Sequence, residues 1–292
     1  MPETVEIDRS ATRPDFTRRD FVRAGLGSGF AAAVLPVSAQ TQVKTDSTGL
    51  LVGEVSLKAG GFQLPAYRAA PLGKAHLPVV LVVSEIFGVH EYIADVARRF
   101  ARQGYFAIAP ELFVRQGDAG SYGEVSKLMA EVVSQVPDAQ AMADLDACVA
   151  WARTQGADTG RLGVTGFCWG GRIAWLYAAH NPALKAAVAW YGRLVGPTNA
   201  LQTTQPVDLA ARLHAPVLGL YAEKDGGIGL DSVAQMRAAL AAGSGAARKS
   251  EFVVYPEAQH AFHADYRPTY QAEAALDGWR RCLAWFKANG VA

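Results

Sequence analysis

From residue 50 onward, short apolar runs alternate with longer amphipathic ones. Leu50–Leu57 and Phe62–Ala69 alternate apolar and polar positions around Gly60-Gly61, which predicts an opening antiparallel hairpin. Pro78–Phe87 carries Val-Val-Leu-Val-Val, a continuous apolar run suited to a strand buried on both faces. Tyr92–Gln103 has helical spacing, with Ile93, Val96, Ala97 and Phe100 on one face, and Tyr105–Leu112 reads as a strand. Residues 121–155 form a long helical region interrupted at Pro137. Further strands are expected at Arg161–Phe167, Ala186–Tyr191, Pro216–Tyr221 and Glu251–Tyr255. Further helices are expected at Arg172–His180, Ser232–Ala241 and Tyr270–Lys287. Strands alternating with helices imply an α/β fold, with a mostly parallel central sheet and helices on both faces. Ligands bind such sheets at the loops beyond the strand C-termini.

The first residues break this pattern. Thr17-Arg18-Arg19-Asp20-Phe21 precedes a mildly apolar Gly/Ala-rich segment, Ala24–Val37, which closes on Val37-Ser38-Ala39. Charge, apolar stretch and small-x-small closure are the layout of a signal peptide. The paired arginines resemble a twin-arginine leader, read by the export machinery during transport. Residues 1–39 are therefore expected to be removed, leaving one α/β domain over residues 40–292 in the periplasm or otherwise outside the cytoplasm. No apolar run is long enough to span a membrane, so no stable insertion is expected after processing.

A net charge of +1, without a basic stripe, gives no reason to expect nucleic acid as a partner. Three cysteines are too few for a disulfide framework. Cys148, spaced with Met142, Leu145 and Val149, and Cys282, spaced with Trp279, Trp285 and Phe286, read most simply as core thiols. A bridge between them is left open. No histidine or cysteine spacing points to a metal, and no cofactor is expected.

The third cysteine carries the chemistry. Gly166-Phe167-Cys168-Trp169-Gly170-Gly171 lies between an expected strand and an expected helix. That is the G-x-nucleophile-x-G elbow, with cysteine as nucleophile. The turn lifts the side chain out of the sheet and aims the Trp169 N–H at a developing oxyanion. A thiol, with a reference pKa near 8.5, needs less activation than a hydroxyl, and a nearby histidine favours thiolate. In the chain order nucleophile, acid, histidine, Asp225 follows a strand and His260 follows the last one. Glu223 and Asp231 are rival acids, and His263 is a rival base or a supporting residue. His76, His90, His180 and His214 read as structural or surface residues.

These motifs, with Ser84-Glu85-Ile86-Phe87-Gly88 at the end of the first buried strand, resemble the dienelactone hydrolase (carboxymethylenebutenolidase) family over roughly residues 50–290. The resemblance implies the α/β-hydrolase fold and hydrolysis of a small-molecule ester or lactone. It implies control of the Cys168 thiol by Glu85, with the thiol protected at rest, and a second oxyanion N–H from Ile86. It also implies a substrate-carboxylate anchor at Arg115. The family's second anchoring arginine falls four residues after His260, where this chain has Ala264. Arg267 is nearby, at a different place in the loop. Tyr191, at a strand end on the active edge, either lines the pocket or packs in the core. Rival readings are a general carboxylesterase or thioesterase on the same scaffold, and a periplasmic binding or stress protein without catalysis. The chain is expected to act as a monomer.

Overall fold

The structure, a computed structural model, describes residues 42–292. The expected leader, residues 1–39, lies outside the described residues.

Eight strands form one sheet in the order β1-β2-β4-β3-β5-β6-β7-β8. β1 (Leu50–Ala59) and β2 (Phe62–Pro71) are the expected hairpin. Its two-residue turn puts Gly60 and Gly61 at φ +54° and +82°, the left-handed region that glycine enters without a Cβ clash. β2 also pairs antiparallel with β4 (Phe106–Pro110). The other pairings are parallel and join β4, β3 (Pro78–Val83), β5 (Asp158–Phe167), β6 (Ala186–Trp190), β7 (Val217–Ala222) and β8 (Glu251–Tyr255) in that order.

The unbroken apolar run of β3 follows from its central position. Val79, Leu81 and Val83 face one core layer, and Val80 and Val82 face the other. Successive side chains point to opposite faces of a strand, so a strand covered on both sides needs apolar residues at every position. The helices α1 (Glu91–Arg102), α2 (Val125–Glu131), α3 (Asp138–Thr154), α4 (Trp169–His180), α5 (Pro206–Leu209), α6 (Leu230–Ala241), α7 (Gly245–Arg248) and α8 (Ala272–Ala288) complete the described elements, with short 3-10 turns between some of them. α1 lays Ile93, Val96, Ala97 and Phe100 into the second layer, as its spacing predicts. α3 lays Met142, Leu145, Cys148 and Val149 into the first. Among the described residues no helix is long and apolar enough to cross a membrane.

The structure moves several boundaries: β3 ends at Val83, which leaves Glu85 and Ile86 in the loop beyond it, and three others shift. The helical region around residue 130 breaks over Val132–Pro137 with a 3-10 turn, and Pro137 caps α3 rather than interrupting it. Proline suits such a position because its fixed φ leads into a helix and its missing N–H costs nothing there. β5 begins at Asp158, earlier than expected. α4 starts at Trp169 rather than Arg172, so two glycines lie in its first turn despite their poor helix propensity.

The start of the described chain is tied to the last loop. The Val43 N–H donates to Asp265 Oδ2 at 2.7 Å and the Thr45 N–H to Asp95 Oδ1 at 2.6 Å. Arg99 bridges the same two carboxylates.

Candidate active site

Close backbone packing forces the turn at the end of β5. Cys168 sits at φ +54°, ψ −113°, between the strand and the first residue of α4. Its N–H donates to the Trp190 carbonyl at 3.0 Å, and its own carbonyl accepts from Gly171 and Arg172 at 3.0 and 3.2 Å. A Cβ on Gly166 would lie 2.0 Å from the Gly170 carbonyl oxygen. One on Gly170 would lie 2.4 Å from the Val83 oxygen and 2.5 Å from that of Ser84. The elbow therefore rests directly on the end of β3, beside Glu85 and Ile86.

Five described non-glycine residues have positive φ. Four of them, Cys168, Tyr191, Glu257 and Ala261, lie in loops beyond the C-termini of β5, β6 and β8. Each such residue costs on the order of 1–3 kcal/mol and persists only where its surroundings hold it. Their concentration at one sheet edge marks that edge as the candidate site. A separate open cavity of about 640 Å³, lined by residues including Leu176, His180 and His214, contains none of Cys168, Asp225 or His260.

Asp225, three residues past β7, is buried. Its Oδ1 accepts from the Gly227 and Ile228 N–H groups at 2.9 and 3.1 Å. Its Oδ2 faces His260 Nδ1 at 2.7 Å. Glu223 instead accepts from the Glu257 N–H, and Asp231 is exposed in the first turn of α6. Burial of the His260 ring opposes its charge, but hydrogen bonds to Asp225 and Cys168 outweigh this and raise its pKa to about 10. The Tyr191 ring stands edge-on to the imidazole at 5.2 Å, and its buried hydroxyl makes no hydrogen bond.

His263 is a different kind of residue. It is fully buried against Trp190 and Phe167, at 4.4 and 5.3 Å between ring centroids. Its Nδ1 lies 2.6 Å from the Tyr92 hydroxyl. Burial, and then the charge of Arg99, hold its pKa well below the usual value, so it stays neutral and does not face Cys168 as a rival base. The two histidines have opposite consequences for stability. Unfolded, both titrate near pH 6.5. Below that pH the unfolded chain binds a proton that buried His263 refuses, at a cost of up to about 1.4 kcal/mol per pH unit. Above it, the stability that charged His260 contributes is lost as the pH rises towards about 10. Urea midpoints should therefore peak near pH 6.5, with His263→Gln flattening the acid side and His260→Gln the alkaline side. Unchanged pH curves in both variants would refute this.

Glu85 is 2% exposed. Its Oε2 lies 3.0 Å from His90 Nε2, and its Oε1 accepts from the Tyr266 hydroxyl at 3.1 Å. His90, read from sequence as a structural or surface residue, is thus a buried neighbour of this carboxylate. Neither His90 nor Tyr266 carried a motif signal, because their partner lies across a turn or at the far end of the chain. Arg115 is bound to the Asp144 carboxylate by two nitrogens, at 2.5 and 2.9 Å. It also reaches the Ala59 carbonyl at 3.3 Å and lies 4.3 Å over the Phe62 ring, so its guanidinium ties α3 to the hairpin. Arg267 takes the place near the thiol. Its guanidinium lies 4.9 Å over Phe87 and 5.4 Å over Tyr266, its buried Nε has no hydrogen-bond partner, and Cys168 and Glu85 both act on its charge.

Cys148 and Cys282 are buried and free, which removes the bridge between them. Among the described residues no cluster of His, Cys, Asp and Glu could hold a metal ion.

An elbow on the central strands of an eight-stranded, mostly parallel sheet, with an acid and a histidine beyond later strands, defines an α/β-hydrolase fold. The dienelactone hydrolase family matches residues 64–290, and the chain belongs to it. A Methylorubrum extorquens protein named "Putative carboxymethylenebutenolidase" is 56% identical over 289 residues, 99% of this chain and 98% of the relative. An Escherichia coli K12 protein of the same name is 52% identical over 264 residues, 90% of this chain and 96% of the relative. The crystal structure named "Putative Dienelactone Hydrolase" from Klebsiella pneumoniae superimposes with a TM-score of 0.79 at 56% identity, covering 82% of this chain and 98% of that one.

Proposed function

We propose that this chain hydrolyses an ester or lactone of a small carboxylic acid through a thioester on Cys168. The observation that carries the reading is the coupling of His260 to both Asp225 and Cys168 at the strained elbow. Cys168 Sγ attacks the carbonyl carbon as thiolate, and the negative charge moves to the carbonyl oxygen. The Trp169 and Ile86 N–H groups receive that charge, each such donor being worth roughly 3–4 kcal/mol. The C–O bond then breaks, and the departing alkoxide takes a proton from His260. Water, giving a proton to the same imidazole, attacks the thioester; the C–S bond breaks and the acid leaves. Asp225 fixes the ring orientation throughout. Export of the mature enzyme is part of the proposal and rests on the leader pattern alone.

For the substrate carboxylate, Arg267 is the better anchor in this chain, because Arg115 is already bound to Asp144. A charge-assisted bond is worth about 1.5–3 kcal/mol. Arg267→Met should therefore raise KM roughly tenfold to a hundredfold more for esters bearing a free carboxylate than for matched neutral esters. Steady-state kinetics on matched ester, lactone and thioester pairs, with and without the carboxylate, test this. Equal losses on both members of each pair would remove Arg267 as anchor.

A further inference from the structure

The fold buries more polar side chains behind the nucleophile than hydrolysis requires, and they converge on Glu85. Both of its oxygens are taken, one by His90 Nε2 at 3.0 Å and the other by the Tyr266 hydroxyl at 3.1 Å. The two donors also brace each other. The His90 ring stands edge-on to Tyr266 at 4.9 Å and stacks on Tyr92 at 5.9 Å. Tyr92 is in turn held by His263. Tyr266 follows Asp265, which the Val43 N–H and Arg99 fix from outside the loop. The charged and titratable groups facing Glu85 are thus His90, Tyr92, Tyr191, Tyr266 and Arg267. Those facing Cys168 are His260, backed by Asp225, and Arg267.

A carboxylate free to turn toward a thiol accepts its S–H and repels the thiolate, keeping the sulfur protonated. One bonded at both oxygens cannot turn without giving up a buried hydrogen bond. We propose that His90 and Tyr266 are positioning residues that fasten Glu85 away from Cys168, leaving the thiol to the cationic side, His260 and Arg267, before any substrate arrives. The proposal rests on Cys168 being the nucleophile of the proposed reaction. It replaces control of the thiol by a mobile Glu85 with a fixed arrangement.

Alkylation by iodoacetamide reads this without any substrate: Sγ forms the thioether, iodide leaves, and peptide mass spectrometry assigns the label. Cys148 and Cys282 are buried, so Cys168 is the thiol read in the folded protein. In Tyr266→Phe the freed Glu85 oxygen reaches for the thiol. The rate at neutral pH should fall roughly threefold to tenfold and its pH profile should move upward. Adding Glu85→Gln to that variant should restore the original profile. His90→Leu should act in the same direction, while His90→Gln, which can still donate, should stay near the parent; this pair serves if Tyr266→Phe does not fold. Profiles superimposable on the parent in folded Tyr266→Phe or His90→Leu, or no recovery with Glu85→Gln, would overturn the clamp. Hydrolysis surviving in Cys168→Ala would instead overturn the proposed reaction, while the alkylation comparison would still report on Glu85.

Discussion

Cys168→Ala is expected to lower kcat on the best ester or lactone by at least about a thousandfold while leaving the melting temperature within a few degrees of the parent. In the proposed reaction the sulfur is the atom that forms and breaks the acyl bond, so no neighbouring group substitutes for it. What rate remains should come from the Ile86 and Trp169 N–H groups and from substrate binding. Asp225→Asn should cost a comparable factor for another reason. Its Oδ1 bonds to Gly227 and Ile228 would survive, but an amide at Oδ2 no longer holds His260 as the charged partner of a thiolate. If purified Cys168→Ala keeps more than about a tenth of the parent kcat, the thioester route is wrong.

The second large effect is on folding. Gly166→Ala should destabilise the protein by at least about 3 kcal/mol or prevent folding, measured by urea unfolding or soluble yield. The added methyl would lie 2.0 Å from the Gly170 carbonyl oxygen, which is main chain and cannot rotate away. Relief would require the first turn of α4 to move away from the end of β5. Gly245→Ala is the matched control. Nothing lies within 4 Å of its added Cβ and the residue begins α7, so its stability should hold or rise by a few tenths of a kcal/mol. A mild Gly166→Ala, equal to Gly245→Ala, would mean that the elbow is not close-packed.

Much of this architecture is readable in the amino-acid sequence. The β-branched Val-Val-Leu-Val-Val run suits a strand covered on both faces, and β3 is one. The spacing of Ile93, Val96, Ala97 and Phe100 could close only as a helix against a core. The elbow was legible because its glycines are a steric requirement, which restricts residue type at fixed spacing. Asp225 and His260 were legible because chain order and strand ends left few rivals. Helix and strand starts shifted by up to four residues, since local propensity is weak where tertiary packing sets the boundary. α4 accepts Gly170 and Gly171 in its first turn because the strand beneath demands close approach.

The surroundings of Cys168, Asp225 and His260 were not legible to the same degree. Arg115 matched a family position, yet Asp144 from α3 takes its guanidinium. Arg267 matched none, yet the last loop folds it over Phe87 beside the sulfur. His90 and Tyr266 lie far apart in the chain and meet on one buried carboxylate. The sequence by itself determined the strand-helix alternation, the elbow and the placing of Cys168, Asp225 and His260 beyond strand ends in that chain order, because periodicity and backbone sterics act locally and restrict residue type. Only the tertiary structure decided which charge faces which. Salt bridges and buried hydrogen bonds form between side chains brought together by the packing of distant segments, and nothing in their local sequence records the partner.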